Sequence, residues 1–580
     1  MVFVMCMLAG VLVCARKKAM HEDEFYSYYS SNRSYGLIAE GEVSRDDVLR
    51  ELEVVPGEGF NFGLVREVQS WDVHPPIYYF ALHFICSLSA GTFSMWQGLG
   101  FNLFCLAACL GLMKLLGGLI MPEDPLVVDL CIVAWGLSAA TLTGVSFIRM
   151  YVLLTAWILA VTCLHVSRIN ETPDQHSPGF WVLLWTLTFL GFMTHYYFLV
   201  WLVALGGTWN ACVILRTRSV RTSLIYVAVE MSCAVACYLF YPAFPAQMFK
   251  GQRGAQATGN FLDLSNTWER LRFFGEKVNR VGFGGGLWVL IGFVVVLMLL
   301  ARDKRDGIRP KMARWNAEDV PALNVREPCD DDQMIMAGRR TYLLLLPLLL
   351  YFCIVSKTAL MLGDSSIRYH VPVLGIAYIL IGHLCSSRIR LAAPAKSPDP
   401  DEATDYGRMG TLVGVIVMAV MTAVNLVADF GGRISFLYPE RAEHVRMLEE
   451  WRDAEVIYAY PAGQSWIMWA EATELLGFDK VEYVTADDLI MAGLNAGEDA
   501  AHDKGDVKDD DQAPDGDLGR TDIGSKAGDH SGGVILYADA SADTDLLIKM
   551  MLQAHPELTG SRFLFSDDYT VTYAFDRHWP

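Results

Sequence analysis

Charge is scarce in this chain of 580 residues: Asp, Glu, Lys and Arg together make up 19%, against 53% hydrophobic residues. A string of soluble domains of that length needs more ionic surface to stay in water. Basic residues are the scarcer kind, 46 Lys and Arg against 65 Asp and Glu, for a net charge of −19. That balance argues against a general polyanion-binding role, because nucleic-acid binders carry a basic face. Cysteine patterns typical of metal or redox sites are also missing. Of the thirteen cysteines, Cys105, Cys109, Cys131, Cys163, Cys233 and Cys237 lie inside apolar runs. They have neither CxxC spacing nor histidines at zinc-ligand distance, and read as small core hydrophobes. No nucleotide-binding fingerprint occurs either. The glycine-rich Gly282–Gly286 stretch precedes an apolar run and reads as the flexible start of a span.

What the chain does have is apolar runs of roughly 15–22 residues, the length that crosses a bilayer as a helix. Candidate spans fall at 1–15, 97–119, 126–147, 151–167, 180–194, 198–215, 223–242, 284–301, 341–356, 371–385 and 410–429. That is about eleven, the pattern of a polytopic α-helical membrane protein. The stretch Pro75–Ser89 is short and opens on Pro-Pro, which suits a helix lying in the interface.

A cytoplasmic N-terminus puts the three most basic short connections inside. These carry Arg216, Arg218 and Arg221; Arg302, Lys304, Arg305, Arg309, Lys311 and Arg314; and Arg388, Arg390 and Lys396. Arg16, Lys17 and Lys18 run against the rule, and either the start codon is misassigned or these cations meet lipid phosphates. So does the outside loop 243–282, with Lys250, Arg253, Arg270, Arg272, Lys277 and Arg280, where contact with anionic head groups or a donor phosphate is expected.

This topology leaves residues 1–430 as a membrane domain with outside loops 20–75 and 243–282. Residues 431–580 form a small extracytoplasmic α/β domain. Its expected strands are Glu455–Tyr460, Val481–Thr485, Val534–Asp539 and Arg562–Phe565, and its helices Ser465–Leu476 and Asp543–Ala554. Residues 497–533 carry eleven acidic and four basic residues with little apolar content, and read as a disordered insertion.

Polar clusters interrupt the apolar pattern in the outside connections. They are His21-Glu22-Asp23-Glu24, Asp72-Val73-His74-Pro75-Pro76-Ile77-Tyr78-Tyr79, Arg149-Met150-Tyr151, His195-Tyr196-Tyr197, and Lys357, Asp364 and Arg368-Tyr369. Each alone suits an interfacial anchor or a solvated loop start. Together they combine carboxylates, imidazoles and guanidiniums, the types needed to remove a proton and hold an anion.

His-x-Asp-Glu after the first span, Asp-x-His-Pro-Pro-x-Tyr-Tyr before the second, and a later Arg-x-Tyr resemble bacterial integral-membrane glycosyltransferases of the GT-C fold. The nearest group is that of the protein O-mannosyltransferases, with the lipid A aminoarabinose transferases. Arg368-Tyr369-His370-Val371-Pro372 is similar to that group's Arg-Tyr-x-x-Pro element. The resemblance spans about residues 1–430. It implies an inverting transfer of a sugar from a polyprenyl-phosphate carrier to an acceptor hydroxyl on a protein, glycolipid or wall polymer.

In that reading Asp23 is the general base, and Glu24 and Asp72 orient it or the hydroxyls. Arg149, Arg368 and Lys357 bind the donor phosphate. His21, His74, His195, Tyr78, Tyr79 and Tyr196 contact or wall the substrates. No cofactor is required. A divalent metal held by His21, Asp23, Asp72 and His74 is the alternative. Partners are the lipid-linked donor, the acceptor and membrane lipids, with no nucleic acid. Two other functions compete: a flippase for lipid-linked sugars, which would place charges near midspan, and a non-catalytic receptor or assembly protein working through its tail.

Overall fold

Within lipid a backbone has to satisfy its polar groups inside its own segment, so long apolar runs become helices. In the computed structural model, which describes residues 1–33, 40–169, 177–306, 330–390, 400–503 and 532–577, every expected span is helical. The chain opens with helices α1 (Val2–Arg16) and α2 (Glu22–Asn32), strand β1 (Gly41–Ser44), and helices α3 (Arg45–Leu52), α4 (Phe62–Trp71) and α5 (Ile77–Ser87). The apolar series follows: α6 (Met95–Ile120), α7 (Pro125–Gly136), α8 (Ala139–Ser146), α9 (Tyr151–Arg168), α10 (Pro178–Phe192), α11 (Tyr197–Thr217) and α12 (Arg221–Phe240). Three shorter helices, α13 (Phe244–Phe249), α14 (Gln252–Leu262) and α15 (Thr267–Lys277), precede α16 (Leu287–Asp306), α17 (Asp330–Thr358), α18 (Val371–Arg390) and α19 (Pro400–Phe430).

Among the described residues, six helices are by length and composition able to cross a membrane, and up to nine spans result if each of three bent pairs counts as one. The bent pairs are α7 with α8 at 56°, α15 and the π-type turn Val278–Gly282 with α16 at 94°, and the 3-10 helix Gly363–Tyr369 with α18 at 73°. Helices α1, α10 and α5 are shorter apolar segments. The sharpest bend passes through the glycine-rich stretch for a steric reason. Gly284 has φ +60° and lies so close to α19 that a Cβ there would sit 2.8 Å from Val424. One span carries an acidic residue at its middle. Glu230, in the middle of α12, accepts a hydrogen bond from Thr188 of α10 at 3.2 Å.

The chain divides into two compact units. The membrane unit comprises Met1–Arg16, Phe60–Ile85 and Ser94–Phe436. The sheet unit comprises Lys17–Gly59, Cys86–Phe93 and Leu437–Pro580. The boundary expected near residue 430 is therefore incomplete: most of the first outside loop folds with the C-terminal region.

In the sheet unit, α20 (Arg441–Leu448), β2 (Glu455–Tyr460), α21 (Ala472–Leu475), β3 (Lys480–Thr485), α22 (Ala486–Asp503), β4 (Val534–Asp539), α23 (Thr544–Ala554), β5 (Leu558–Ser566) and β6 (Thr570–Arg577) follow in order. The sheet order is β1-β3-β2-β4-β6-β5. β3, β2 and β4 are parallel, and β1, β6 and β5 join antiparallel. β1, drawn from the first loop, pairs Val43 with Val481. Ile457, Ala459, Leu536, Ala538, Leu547 and Met551 build an apolar core that includes side chains of β2, β4 and α23. The expected helix Ser465–Leu476 resolves into a 3-10 turn, Ser465–Trp469, followed by α21. The insertion expected at 497–533 begins later than the composition implied, since α22 continues to Asp503. Residues 504–531 lie outside the described residues.

Candidate active site

In the membrane unit the site is built on helix ends, where the chain changes direction and polar side chains need partners. Asp72 caps the C-terminus of α4, and two residues on, its Oδ2 lies 3.1 Å from His74 Nδ1. A charged carboxylate accepts there, so Nδ1 donates, and in the neutral form of the ring Nε2 carries the lone pair. Burial pushes the Asp72 carboxyl up. The hydrogen bond from His74 and the charges of His74 and Arg149 outweigh it and hold the group below the ordinary carboxylate range. The rings of His74 and His195 stand 6.0 Å apart. His195 Nδ1 accepts from the Tyr197 amide at 3.0 Å. Burial, then the charges of His74 and Arg149, push His195 well below its ordinary value, so it is a neutral imidazole.

Arg149, in the turn between α8 and α9, is buried and donates to the Tyr79 hydroxyl at 3.2 Å. Arg368, at the end of the 3-10 helix before α18, places its guanidinium 5.3 Å from the ring centres of both Phe147 and Tyr369. Tyr369 in turn packs edge-on to Tyr151 and Tyr197. An unbroken run of side-chain contacts thus leads from Asp72 through His74, His195 and Tyr151 to Tyr369 and Arg368. The set offers a proton acceptor backed by a carboxylate, together with two guanidiniums matched to phosphate oxygens.

Other expected members have different duties. Lys357 donates to the Asp263 carbonyl at 2.6 Å, the Asn266 side chain at 2.5 Å and the Thr267 hydroxyl at 3.0 Å. Its three hydrogens are engaged in bracing a turn. Tyr78 is buried, with Tyr79 and Phe101 as ring neighbours. The Tyr196 hydroxyl donates to Gln247 Oε1 at 2.5 Å. Gln247 is a residue the sequence reading missed. Its amide nitrogen also faces the carbonyls of Gln69 (2.8 Å) and Asp72 (2.7 Å) and the Tyr241 hydroxyl (2.9 Å), fixing the segment that carries the Asp72–His74 pair. An uncharged amide in a helix of six residues gives no sequence signal for such a role.

His21, Asp23 and Glu24 belong to the sheet unit. There they start α2. His21 Nδ1 accepts from the Asp23 amide at 3.1 Å, and Glu24 Oε2 accepts from the His21 amide at 2.7 Å, a reciprocal cap. Glu24 also pairs with Lys17 at 2.9 Å, both side chains fully out of solvent. Lys17 was expected at lipid phosphates; its burial against Glu24 is the physical reason it tolerates that position. Asp23 retains 30% side-chain exposure.

The same unit holds a second ionic knot that sequence reasoning did not find. Arg441 contacts Glu471, Glu474 (2.8 Å) and Asp567 (3.1 Å), and His444 Nδ1 lies 3.3 Å from Glu474. Among the described residues, no group of three or more His, Cys, Asp or Glu is placed to hold a metal ion. The four residues of the metal alternative fall two in each unit.

No known family matches this chain, and no curated protein does. Among solved structures it is similar to ArnT from Cupriavidus metallidurans bound to undecaprenyl phosphate. That match has 12% identity and a TM-score of 0.46, over 99% of this chain and 97% of that one. The apo state of the same protein gives 12% identity and a TM-score of 0.42, over 98% and 97%. The functional reading rests on the side chains themselves.

Proposed function

We propose that this chain is a multi-pass membrane glycosyltransferase of the GT-C kind. It moves a sugar from a polyprenyl-phosphate carrier to an acceptor hydroxyl at the extracytoplasmic face, with inversion at the anomeric carbon. The observation that carries this reading is the Asp72–His74 pair joined through His195 and Tyr151 to Arg368, with Arg149 beside Tyr79. An apolar groove of about 460 Å³, lined by Leu199, Val203, Gly207, Leu346, Leu350 and Ile354, supports it. The groove runs between α11 and α17, beside the 3.3 Å contact of Thr358 with Tyr197, and Tyr197 packs on Tyr369. An isoprenoid tail in that groove would bring its phosphate toward the Arg368 end of the cluster.

In the reaction the acceptor oxygen attacks the anomeric carbon as its bond to the carrier phosphate breaks. The guanidiniums of Arg149 and Arg368 stabilise the departing charge. Asp23 keeps the assignment as general base that its motif suggests, and its partial exposure is compatible with that duty. His74, backed by Asp72, is the rival proton acceptor within the membrane unit. Asp23→Asn should abolish transfer with thermal stability and carrier binding unchanged. If His74→Ala abolishes it instead and Asp23→Asn keeps substantial turnover, the base is His74. The reaction class is tested by mass spectrometry of lipid-linked intermediates and surface glycans in a deletion strain. One polyprenyl-phosphate sugar should accumulate as one decoration disappears. Unchanged lipid and glycan profiles would overturn the reading.

A further inference from the structure

The stretch between α12 and α16 carries six cations, and half of them have internal duties. Arg270 donates to the Ser356 carbonyl at 3.0 Å and to that of Ala359, satisfying the C-terminal end of α17. Lys277 and Arg280 both pair with Asp364, the former at 2.8 Å. Lys250, Arg253 and Arg272 are exposed. The contact with lipid or donor phosphate expected of all six therefore concerns at most these three.

The turn braced by Lys357 has a peculiar surface. Lys357 is buried in the last turn of α17, and its ammonium holds Asp263, Asn266 and Thr267 in place. Asp263 folds its carboxylate back onto the Ser265 amide and hydroxyl. What this rigid turn presents outward is apolar: Leu262 is 72% exposed, Leu264 83% and Trp268 76%, with Phe249 and Phe261 also exposed nearby in the chain. Surrounding a pre-organised turn of this kind with water is unfavourable for every one of these side chains. The height of the turn is set by its braces. Lys357 and Ser356 belong to the terminal turn of a helix long and apolar enough to cross a bilayer, so the turn lies where that span ends.

We infer that residues 262–268 form a membrane anchor. Leu262, Leu264 and Trp268 seat in the leaflet on the side where α17 ends, Trp268 at the depth that indole favours, and Lys250, Arg253 and Arg272 supply the charge that anionic head groups attract. The occupant of this apolar surface is the bilayer the spans cross, not a protein. The inference stands apart from the transferase reading and holds whatever reaction the chain performs.

The test places a fluorophore at Leu264→Cys, with Cys212, Cys329 and Cys353 replaced by serine. The full chain is reconstituted in nanodiscs of phosphatidylcholine and phosphatidylglycerol. The label should be quenched by phosphatidylcholine spin-labelled high on its acyl chain and be protected from aqueous iodide. The same label at Glu443→Cys, an exposed site of the sheet unit, should show the reverse. Adding Lys357→Met should release the turn and cost the Leu264 label much of its lipid quenching. Iodide access without lipid quenching would overturn the anchor. Protection from both quenchers would also overturn it, by showing that a second copy or another protein covers the surface.

Discussion

Two short motifs pair a histidine with an aspartate two residues away, and they use the pair in opposite ways. In the membrane unit the side chains of Asp72 and His74 meet, leaving the far nitrogen of the ring as a proton acceptor. In the sheet unit His21 and Asp23 meet through a backbone amide, with the carboxylate 4.0 Å from the ring nitrogen. There Glu24 is withdrawn entirely into a pair with Lys17. The same residue types at the same spacing meet side chain to side chain in one place and through a helix-capping amide in the other. The direction of one hydrogen bond decides which.

The largest expected effect strikes the structural motif. Lys17→Met leaves Glu24 buried without its cation and should cost about 3–5 kcal/mol, read as a fall in the unfolding temperature of the purified chain. Lys17→Met with Glu24→Leu should recover most of the loss, and an unrecovered double variant would count against a simple ion pair. The two histidines then separate the motifs. His74→Ala should lower turnover with little change in stability, and by the roughly 10²–10⁴ of a lost base only if the ring rather than Asp23 takes the proton. His21→Ala should cost about 1 kcal/mol of stability as a lost cap, and His21→Asn should restore it. If both substitutions moved activity and stability alike, the distinction drawn here would fail.

A smaller effect concerns pH. Burial, only partly offset by Arg441, pushes Glu471 well above the ordinary carboxyl range, while the hydrogen bond from Glu471 and the charge of Arg441 hold Asp567 below it against its own burial. A raised acid stabilises the folded state less as pH climbs from its unfolded value toward its folded one. A lowered acid contributes above its unfolded value, and that contribution is lost as pH falls through its folded value. The sheet unit should therefore be most stable in mild acid. Glu471→Gln should flatten the alkaline side of the melting-temperature profile, and an unaltered profile would remove Glu471 as its cause. Smallest of all, Tyr196→Phe deletes one hydrogen bond to Gln247 and should cost about 1 kcal/mol in the same melting measurement.

Much of the helical framework was legible because apolar run length is a local property. The breaks in α7–α8 and at Gly284 were not, since they answer to packing against distant helices. Four strands were readable as short apolar and β-branched runs, the fourth, Arg562–Phe565, as part of β5. β1 was not, because four residues, Gly-Glu-Val-Ser, mean nothing until β3 is beside them. α22 was hidden by the acidic composition of its own second half. At the site, the motifs pointed to Asp72, His74, His195 and Arg368, which the fold links by way of Tyr151 and Tyr369, and to Arg149, which donates to Tyr79. Lys357 and Glu24 meet protein partners that the motifs did not reveal, because a charge in a motif does not announce whether its partner is a substrate or a neighbour. Gln247 carries no charge at all and was invisible.

The pairing of β1 with β3 sets an order of events during synthesis. Gly41–Ser44 is made early, while its partner strand Lys480–Thr485 is made only after every apolar helix has emerged. Until then the early segment has no β-ladder to join, and the sheet closes late, by one of the longest loop closures the chain contains. A protein cut short anywhere before residue 480 would leave that segment without its partner strand.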